Sequence, residues 1–432
     1  MNIGIVTAWF ERGAAYVSRS YLEALSKEHN VYIYARGGEK YATDDPRWDL
    51  PNVTWEKKIP NMPMVTFINW KDFKKWLVTN SIEIIFFNEQ RSWDIVRKLR
   101  NSKYLLGSYV DYYTKKSVPF FKFYDFLICN TKRHYEVFQD FGQTFFIPWG
   151  TDLELCKPKE RVGESECVTF FHSAGMGGVN LRKGTDILVK AFQSVSGKAR
   201  LIIHSQAVIE KFSSVMDIIS TDNRIEFIQG TVPLPGLYYR GDVYVYPSRL
   251  EGIGLSIVEA LACGLPVITT DNPPMNEFVK HNQTGYLVGV EKFQNRDDDY
   301  YWPESICSEM KLVEAMQFYV DNPHKIIEQS LYARQYALKH FNWNKNSAEL
   351  VHLFYSIKRK RAWTRQEYCS LSRSENSEIL MNLFRGIDIS LGKGEKKNAR
   401  KLLVMALEIN PKIIIKRKTL SLMHEVYFKS HS

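Results

Sequence analysis

The stretch YRGDVYVYPSRLEGIGLSIVEALACGLPVITTD, residues 239–271, decides the fold of this chain. Its apolar run at 243–246 predicts a buried strand, 256–263 predicts a helix, and 267–270 predicts the following strand. Because a strand–helix–strand unit of this length is a parallel crossover, the loop at 247–254 is expected at the carboxyl edge of a parallel sheet. Ligands bind at that edge in open α/β folds, so the segment also predicts where a site lies.

The same alternation of apolar runs and amphipathic stretches continues on both sides of this segment, which indicates two doubly wound parallel sheets. It is interrupted at 148–166 by a stretch rich in turn-forming and charged residues, which we interpret as a linker. We therefore expect an α/β protein with Rossmann-like domains at 1–153 and 154–345, followed by a helical crossover and a basic helical tail at 346–432. Aromatic residues at helical spacing are expected to be core residues of the helical stretch 323–357: Tyr332, Tyr336, Phe341 and Trp343.

Composition places the chain among folded globular proteins, with 44% hydrophobic and 25% charged residues. No apolar run approaches the roughly 18–20 residues that a membrane-spanning helix needs. The first ten residues lack the basic start and the cleavage site of a secretory signal, so a cytoplasmic protein is expected. The six cysteines form no CxxC pair and have no zinc-type spacing, which favours reduced thiols.

The net charge of +10 is concentrated in the tail, where ten Lys or Arg face three Glu from residue 393 onward. Basic and aromatic residues also alternate at 68–77, 113–124 and 358–363. These stretches are explained either by peripheral contact with an anionic membrane surface, on its inner face, or by solvated helix faces and core edges. Nucleic acid is the less favoured anionic partner.

Two carboxylates frame the loop and helix of the opening segment, Glu251 before the helix and Glu259 within it. Between them, the amides of Gly254, Leu255 and Ser256 open a helix N-terminus, which offers N–H donors and a positive dipole end to a phosphate. The flanking carboxylates can accept hydrogen bonds from the hydroxyls of a sugar and of a ribose. The alternative is an acidic pair on a solvated surface.

This arrangement closely resembles the signature of the group 1, family 4 glycosyltransferases, and the resemblance extends over roughly residues 1–357. It implies the GT-B fold, in which two Rossmann-like domains face each other across a cleft. It also implies transfer of a hexose, with retention of configuration, from a UDP- or GDP-sugar to a glycan or lipid-linked acceptor. By resemblance, Glu259 holds the ribose hydroxyls, Glu251 contacts the donor sugar, and the loop amides touch the diphosphate.

A basic pair, Arg182 and Lys183, precedes a predicted helix. A departing diphosphate gains negative charge, so a cation there stabilises the transition state more than the ground state. Lys183 matches the phosphate-binding lysine of the family, but Gly177 and Gly178 stand where the family has an arginine. Arg182 replaces that arginine, or the amides of 175–178 do so, or Arg182 faces solvent.

Further candidates are weaker because each has an ordinary structural explanation. Gly13 follows the first strand and is either a close approach to ligand or a tight turn. Asp111 and Glu89 follow apparent strands, and Asp111 is expected to contact the acceptor as a base or a hydrogen-bond partner. Val232 lies in a loop expected to contact the nucleobase.

No DxD motif stands at a strand end, and the acidic run 297–299 falls in a polar insert, so no metal ion or other cofactor is expected. Two other functions remain open. One is a related activity, such as a nucleotide-sugar epimerase. The other is a non-catalytic scaffold that binds membrane or nucleic acid through its tail. Retention of Glu251, Glu259 and Lys183 together favours an enzyme.

Overall fold

The computed structural model of the protein describes residues 1–38, 40–159, 167–176, 181–207, 213–360, 365–411, 413 and 417–427. Two parallel sheets form its body, one on each side of residue 150, and a helical tail follows residue 365. Short 3-10 turns occur at Val118–Phe123, Leu181–Lys183 and Tyr238–Arg240.

The first sheet is built from alternating strands and helices, as predicted. Its described elements are β1 (Asn2–Thr7), α1 (Gly13–Leu25), β2 (Asn30–Ala35), β3 (Val53–Trp55), α2 (Trp70–Thr79), β4 (Ile84–Phe87), α3 (Trp93–Leu99), β5 (Leu105–Tyr109), β6 (Phe126–Cys129), α4 (Lys132–Phe138) and β7 (Thr144–Phe146). All pairs are parallel, in the order β3-β2-β1-β4-β5-β6-β7. Successive residues of β4 enter apolar clusters on opposite faces, which explains its unbroken IIFF sequence.

The second sheet repeats this plan. Its described elements are β8 (Val168–Gly175), α5 (Thr185–Gln193), β9 (Ala199–Ser205), α6 (Ser213–Thr221), β10 (Ile225–Gln229), β11 (Val243–Tyr246), α7 (Leu255–Ala262), β12 (Val267–Thr270), α8 (Met275–Phe278) and β13 (Gly285–Val288). The parallel order is β10-β9-β8-β11-β12-β13. The order reverses between β1 and β4 in the first sheet and between β8 and β11 in the second, and such switch points open a crevice at the carboxyl edge.

After the second sheet the chain forms an antiparallel hairpin and then returns to the first domain. The elements are β14 (Val290–Gln294), β15 (Glu304–Cys307), α9 (Glu309–Asp321), α10 (Pro323–His340), α11 (Trp343–Asn346) and α12 (Ala348–Ser356). At the crossing point a Cβ on Gly150 would lie 2.6 Å from the Phe341 carbonyl oxygen, so only glycine fits. The prediction that the aromatic residues at helical spacing belong to the core is confirmed for Phe341 and Trp343, which are buried. It is wrong for Tyr332, which is 51% exposed.

The tail contains α13 (Arg365–Gly392), α14 (Lys396–Ile409) and α15 (Arg417–Tyr427). Ile59 and Phe67 of the first domain share a buried apolar cluster with tail residues, including Leu383 and Leu402. Asn61 donates hydrogen bonds to the Ser390 hydroxyl and the Glu395 carboxylate, and so the tail is docked on the first domain. Among the described helices, none has both the length and the apolar character required to cross a bilayer.

Candidate active site

A cavity of about 590 Å³ lies between the carboxyl edges of the two sheets. Loops after β1, β4 and β5 line one side of it, and loops after β8 and β11 together with α7 line the other. Ten of the site residues predicted from the sequence line this cavity: Gly13, Asp111, Arg182, Lys183, Val232, Glu251, Gly254, Leu255, Ser256 and Glu259.

The centre of the cavity is an ion cluster built from the two switch-point loops. Lys183 Nζ lies 2.8 Å from Glu251 Oε1, and Arg182 Nη1 lies 3.6 Å from Glu251 Oε2. The hydroxyls of Tyr246 and Ser248 also donate to Glu251 Oε1, at 2.8 and 2.6 Å. Glu251 is therefore held by three hydrogen-bond donors, and two cations share its carboxylate.

The protonation states in this cluster follow from burial and charge. Burial favours the neutral form of Glu251, but the nearby Lys183 and Arg182 outweigh it and lower the carboxyl pKa to about 2. Burial lowers the pKa of Lys183 to about 8, although the charge of Glu251 opposes this shift. Glu251 is thus a carboxylate throughout the physiological range, while Lys183 can lose its proton just above it.

Glycines shape the two loops that carry these charges. Gly184, directly after Lys183, has φ 72° and begins α5. A Cβ there would lie 2.1 Å from the Pro247 carbonyl oxygen, which packs the Lys183 loop against the Glu251 loop. Gly254 has φ 97° at the start of α7, and that left-handed conformation turns the chain into the helix.

The N-terminus of α7 presents unused donors to the cavity. Within the described structure the backbone N–H groups of Leu255 and Ser256 have no acceptor, and the first N–H with one is that of Ile257, which donates to the Gly254 carbonyl. Two free amides at a helix N-terminus, next to Lys183, form a setting suited to an anion.

Glu259 lies one turn further along α7 and lines the same cavity. It accepts a hydrogen bond from the Tyr238 hydroxyl at 2.6 Å. Burial raises the pKa of Glu259, and the hydrogen bond from Tyr238 opposes that shift. Tyr238 follows the loop that carries Val232, so these residues form one end of the cavity.

The first domain contributes further carboxyl groups to the cavity, among them those of Glu89 and Asp111. Arg12 pairs with Glu89 at 3.0 Å, and burial together with the Glu89 charge raises the pKa of Asp111 well above its usual value. Asp111 lies against the loop of Glu251, because a Cβ on Gly252 would be 3.6 Å from the Asp111 Cβ.

Contacts across the cleft include residues that the sequence did not single out. His134 of α4 donates from Nε2 to the Gly252 carbonyl at 2.9 Å. Trp302 donates to the Tyr113 hydroxyl, which donates in turn to His134 Nδ1. Because Nδ1 accepts and Nε2 donates, the proton of the neutral ring lies on Nε2. Burial lowers the His134 pKa to about 3, so the ring is a neutral positioning group. No local pattern could have revealed it, because its partners are distant in sequence.

The hairpin β14–β15 also reaches the first domain, where the Tyr300 hydroxyl donates to the Asp111 backbone carbonyl at 2.8 Å. Its acidic run includes Asp298, which pairs with Arg296. Throughout the described ranges, no group of three His, Cys, Asp or Glu side chains is placed to hold a metal ion. Gly177 and Gly178 lie outside the described residues, whereas Arg182 lines the cavity and donates to the Leu250 carbonyl at 3.0 Å.

Comparison with known proteins supports the resemblance found in the sequence. Residues 172–296 match the family model for glycosyl transferases group 1. A GDP-mannose-dependent phosphatidylinositol monomannoside mannosyltransferase of Mycobacterium tuberculosis is 32% identical over 166 residues, which is 33% of this chain and 42% of the relative. A lipopolysaccharide core mannosyltransferase of Rhizobium leguminosarum is 32% identical over 160 residues, 33% of this chain and 45% of its own length.

The chain thus spans less than half the length of these curated relatives. Among solved structures, HepE of Anabaena with UDP and glucose superimposes with a TM-score of 0.64 at 16% identity, over 82% of this chain and 100% of its own. At this level of identity, the superposition shows a shared fold only. Together, these comparisons show that residues 172–296 match the group 1 glycosyltransferases and that the two facing sheets have the GT-B fold.

Proposed function

We propose that the protein transfers a hexose from a nucleotide diphosphate sugar to a glycan or lipid-linked acceptor, with retention of configuration and without a metal ion. The observation that carries this proposal is the pair Lys183 and Arg182 beside the free amides of Leu255 and Ser256. A departing diphosphate requires this set of positive groups. The Mycobacterium relative is named as GDP-mannose-dependent and HepE was solved with UDP, so both nucleotides are candidates.

The diphosphate is placed on the α7 amides and against Lys183. An anion there favours the ammonium form of Lys183, so donor binding raises the pKa that burial has lowered. As the glycosidic bond breaks, negative charge grows on the leaving oxygen, and the fixed cations stabilise that charge more strongly than the bound ground state. Glu251, fixed by Tyr246 and Ser248, accepts hydrogen bonds from the donor sugar.

The remaining carboxylates have separate roles in this proposal. Glu259, oriented by Tyr238, accepts from the ribose hydroxyls. Asp111 faces the acceptor, as a hydrogen-bond partner or as the base for its hydroxyl. The acceptor attacks from the side that the diphosphate leaves, which retains configuration without a protein nucleophile.

The donor site is tested by isothermal titration of UDP, GDP and their sugar conjugates into the wild type and Glu259→Gln. We expect one nucleotide to bind in the micromolar range. Its affinity should fall about 10- to 100-fold in the variant, because hydrogen bonds to a charged group contribute about 1.5–3 kcal/mol. Glu226→Gln, in a half-exposed ion cluster with Arg200 and Arg240 outside the cavity, is the matched control. If the wild type binds no nucleotide, the proposal fails, and release of free nucleoside diphosphate distinguishes transfer from epimerisation.

Turnover is expected to persist in the presence of a metal chelator. Lys183 and Arg182 already place two cations at the proposed diphosphate site, and so charge neutralisation does not require a divalent ion. The measurement is donor turnover with and without EDTA, after dialysis. Activity that disappears with the chelator and returns with manganese or magnesium would contradict metal independence.

A further inference from the structure

A second cavity, of about 890 Å³, lies between the first domain and the tail. One wall is formed by the segment leading into α2, by α2 itself and by α3, and the other by α13 and α14. Pockets for organic ligands are typically about 300–1,000 Å³, so this one can hold a molecule much larger than a single ion.

The floor of this tail cavity is apolar on both walls. The first domain and the tail contribute Ile59, Phe67, Ile68, Trp70, Ile379, Val404, Met405 and Ile409. Several of these side chains belong to the buried cluster that docks the tail, but Val404 remains 45% exposed on the tail side. An apolar chain bound here would extend a surface that the fold has already begun to bury.

The rim of the tail cavity is strongly basic. Seven Lys or Arg residues line it against three acids: Lys57, Lys71, Lys75, Arg97, Lys98, Arg400 and Lys401 against Asp72, Asp94 and Glu408. Asp72 accepts from the Tyr34 hydroxyl, and Asp94 accepts from Ser92 and pairs with Lys98 at 3.3 Å.

Two of the three acids are therefore already engaged. Among the described residues, Lys71, Lys75 and Lys401 have no carboxylate at ion-pair distance, and they come from both walls of the cavity. Cations on both sides of an apolar floor complement a molecule with an anionic head and a hydrocarbon chain.

We infer that the tail cavity binds a single amphiphile that carries a phosphate headgroup, with its hydrocarbon chain on the apolar floor and its phosphate between the lysines of α2 and α14. Free phosphate would leave the apolar floor exposed to water. Nucleic acid would be recognised by phosphate contacts and base stacking, for which a floor that is aliphatic apart from Phe67 and Trp70 is poorly suited.

The tail cavity is close to the candidate active site. Glu89 lines the first cavity and Asp94 lines the second, and five residues of chain span at most about 18 Å. A lipid phosphate in the tail cavity could therefore present an attached glycan to the acceptor side. Presentation of a glycan to the acceptor side rests on the proposed function, whereas binding of the amphiphile does not.

The test is titration of the full-length protein with farnesyl phosphate below its micellar concentration, alongside farnesol and inorganic phosphate. We expect saturable 1:1 binding of farnesyl phosphate, with both partial ligands at least tenfold weaker. The double variant Lys71→Glu/Lys401→Glu should bind about 30-fold more weakly, since each basic residue near anionic lipid contributes about 1 kcal/mol and each 1.4 kcal/mol is tenfold. The matched control is Lys74→Glu/Lys397→Glu, on the same two helices but outside the cavity.

Three results would overturn the inference: equal loss in the control variant, equal affinity for inorganic phosphate, or displacement of the lipid by an oligonucleotide. UDP and GDP titration of the same proteins separates this outcome from failure of the proposed function. Loss of lipid binding with intact nucleotide binding would contradict only the inference about the tail cavity. Loss of nucleotide binding with intact lipid binding would contradict only the proposed donor site.

Discussion

Lys183→Ala is expected to lower kcat/KM for donor turnover by about 10²- to 10³-fold, the usual cost of removing one group that stabilises developing negative charge. The Lys183 side chain is 12% exposed and its Nζ lies 2.8 Å from Glu251, so the ammonium acts where water is largely excluded. Lys190→Ala, on the exposed face of α5, is the matched control and should retain activity. Steady-state kinetics with the nucleotide sugar identified by titration measures both.

The pH profile provides a second readout of the same role. Because burial lowers the Lys183 pKa to about 8, the ammonium of the free enzyme loses its proton as the pH rises through that value. The kcat/KM should therefore fall above pH 8, since that parameter reports the ionisations of the free enzyme. Lys183→Arg keeps its charge and should lack the decline. An unchanged rate in Lys183→Ala, or an alkaline limb that persists in Lys183→Arg, would contradict the assignment.

Those parts of the structure that depend on local pattern could be predicted from the sequence. The strand, loop, helix and strand of residues 239–271 are observed at Val243–Tyr246, Leu255–Ala262 and Val267–Thr270. Buried apolar runs, glycine at positive φ and parallel crossovers are properties of short segments, so this one segment placed Glu251 at the carboxyl edge of a sheet.

Long-range packing could not be predicted in the same way. Helical spacing shows that apolar side chains share one face of a helix, but it does not show which neighbouring element covers that face. In α10, Ala333 and Ala337 face the core because α7 packs there, while Tyr332 remains exposed. The His134 contact with Gly252 joins residues 118 positions apart, and docking of the tail on Ile59 and Phe67 joins segments more than 300 apart.

Glu251→Ala is expected to lower the free energy of unfolding by about 3–5 kcal/mol, the range found when one partner of a buried ion pair is removed. The carboxylate neutralises Lys183 and Arg182 together, and its loss leaves two cations without a counter-charge in a site where the carboxylate is only 9% exposed. Urea unfolding at pH 7 measures the change. Glu328→Ala removes an exposed ion pair with Lys325 and should cost about 0–1 kcal/mol.

The destabilisation by Glu251→Ala should also depend on pH in a defined direction. Lys183 and Arg182 lower the pKa of Glu251 in the folded protein to about 2, below the 4.5 of an unperturbed glutamate. The carboxylate therefore contributes its full stabilisation above pH 4.5 and loses it as the pH falls toward 2. The difference between the wild type and Glu251→Ala should narrow when unfolding is repeated at pH 3. A difference that is small at pH 7, or equally large at pH 3, would mean that the carboxylate does not neutralise the two cations. The electrostatic account of the site would then fail with it.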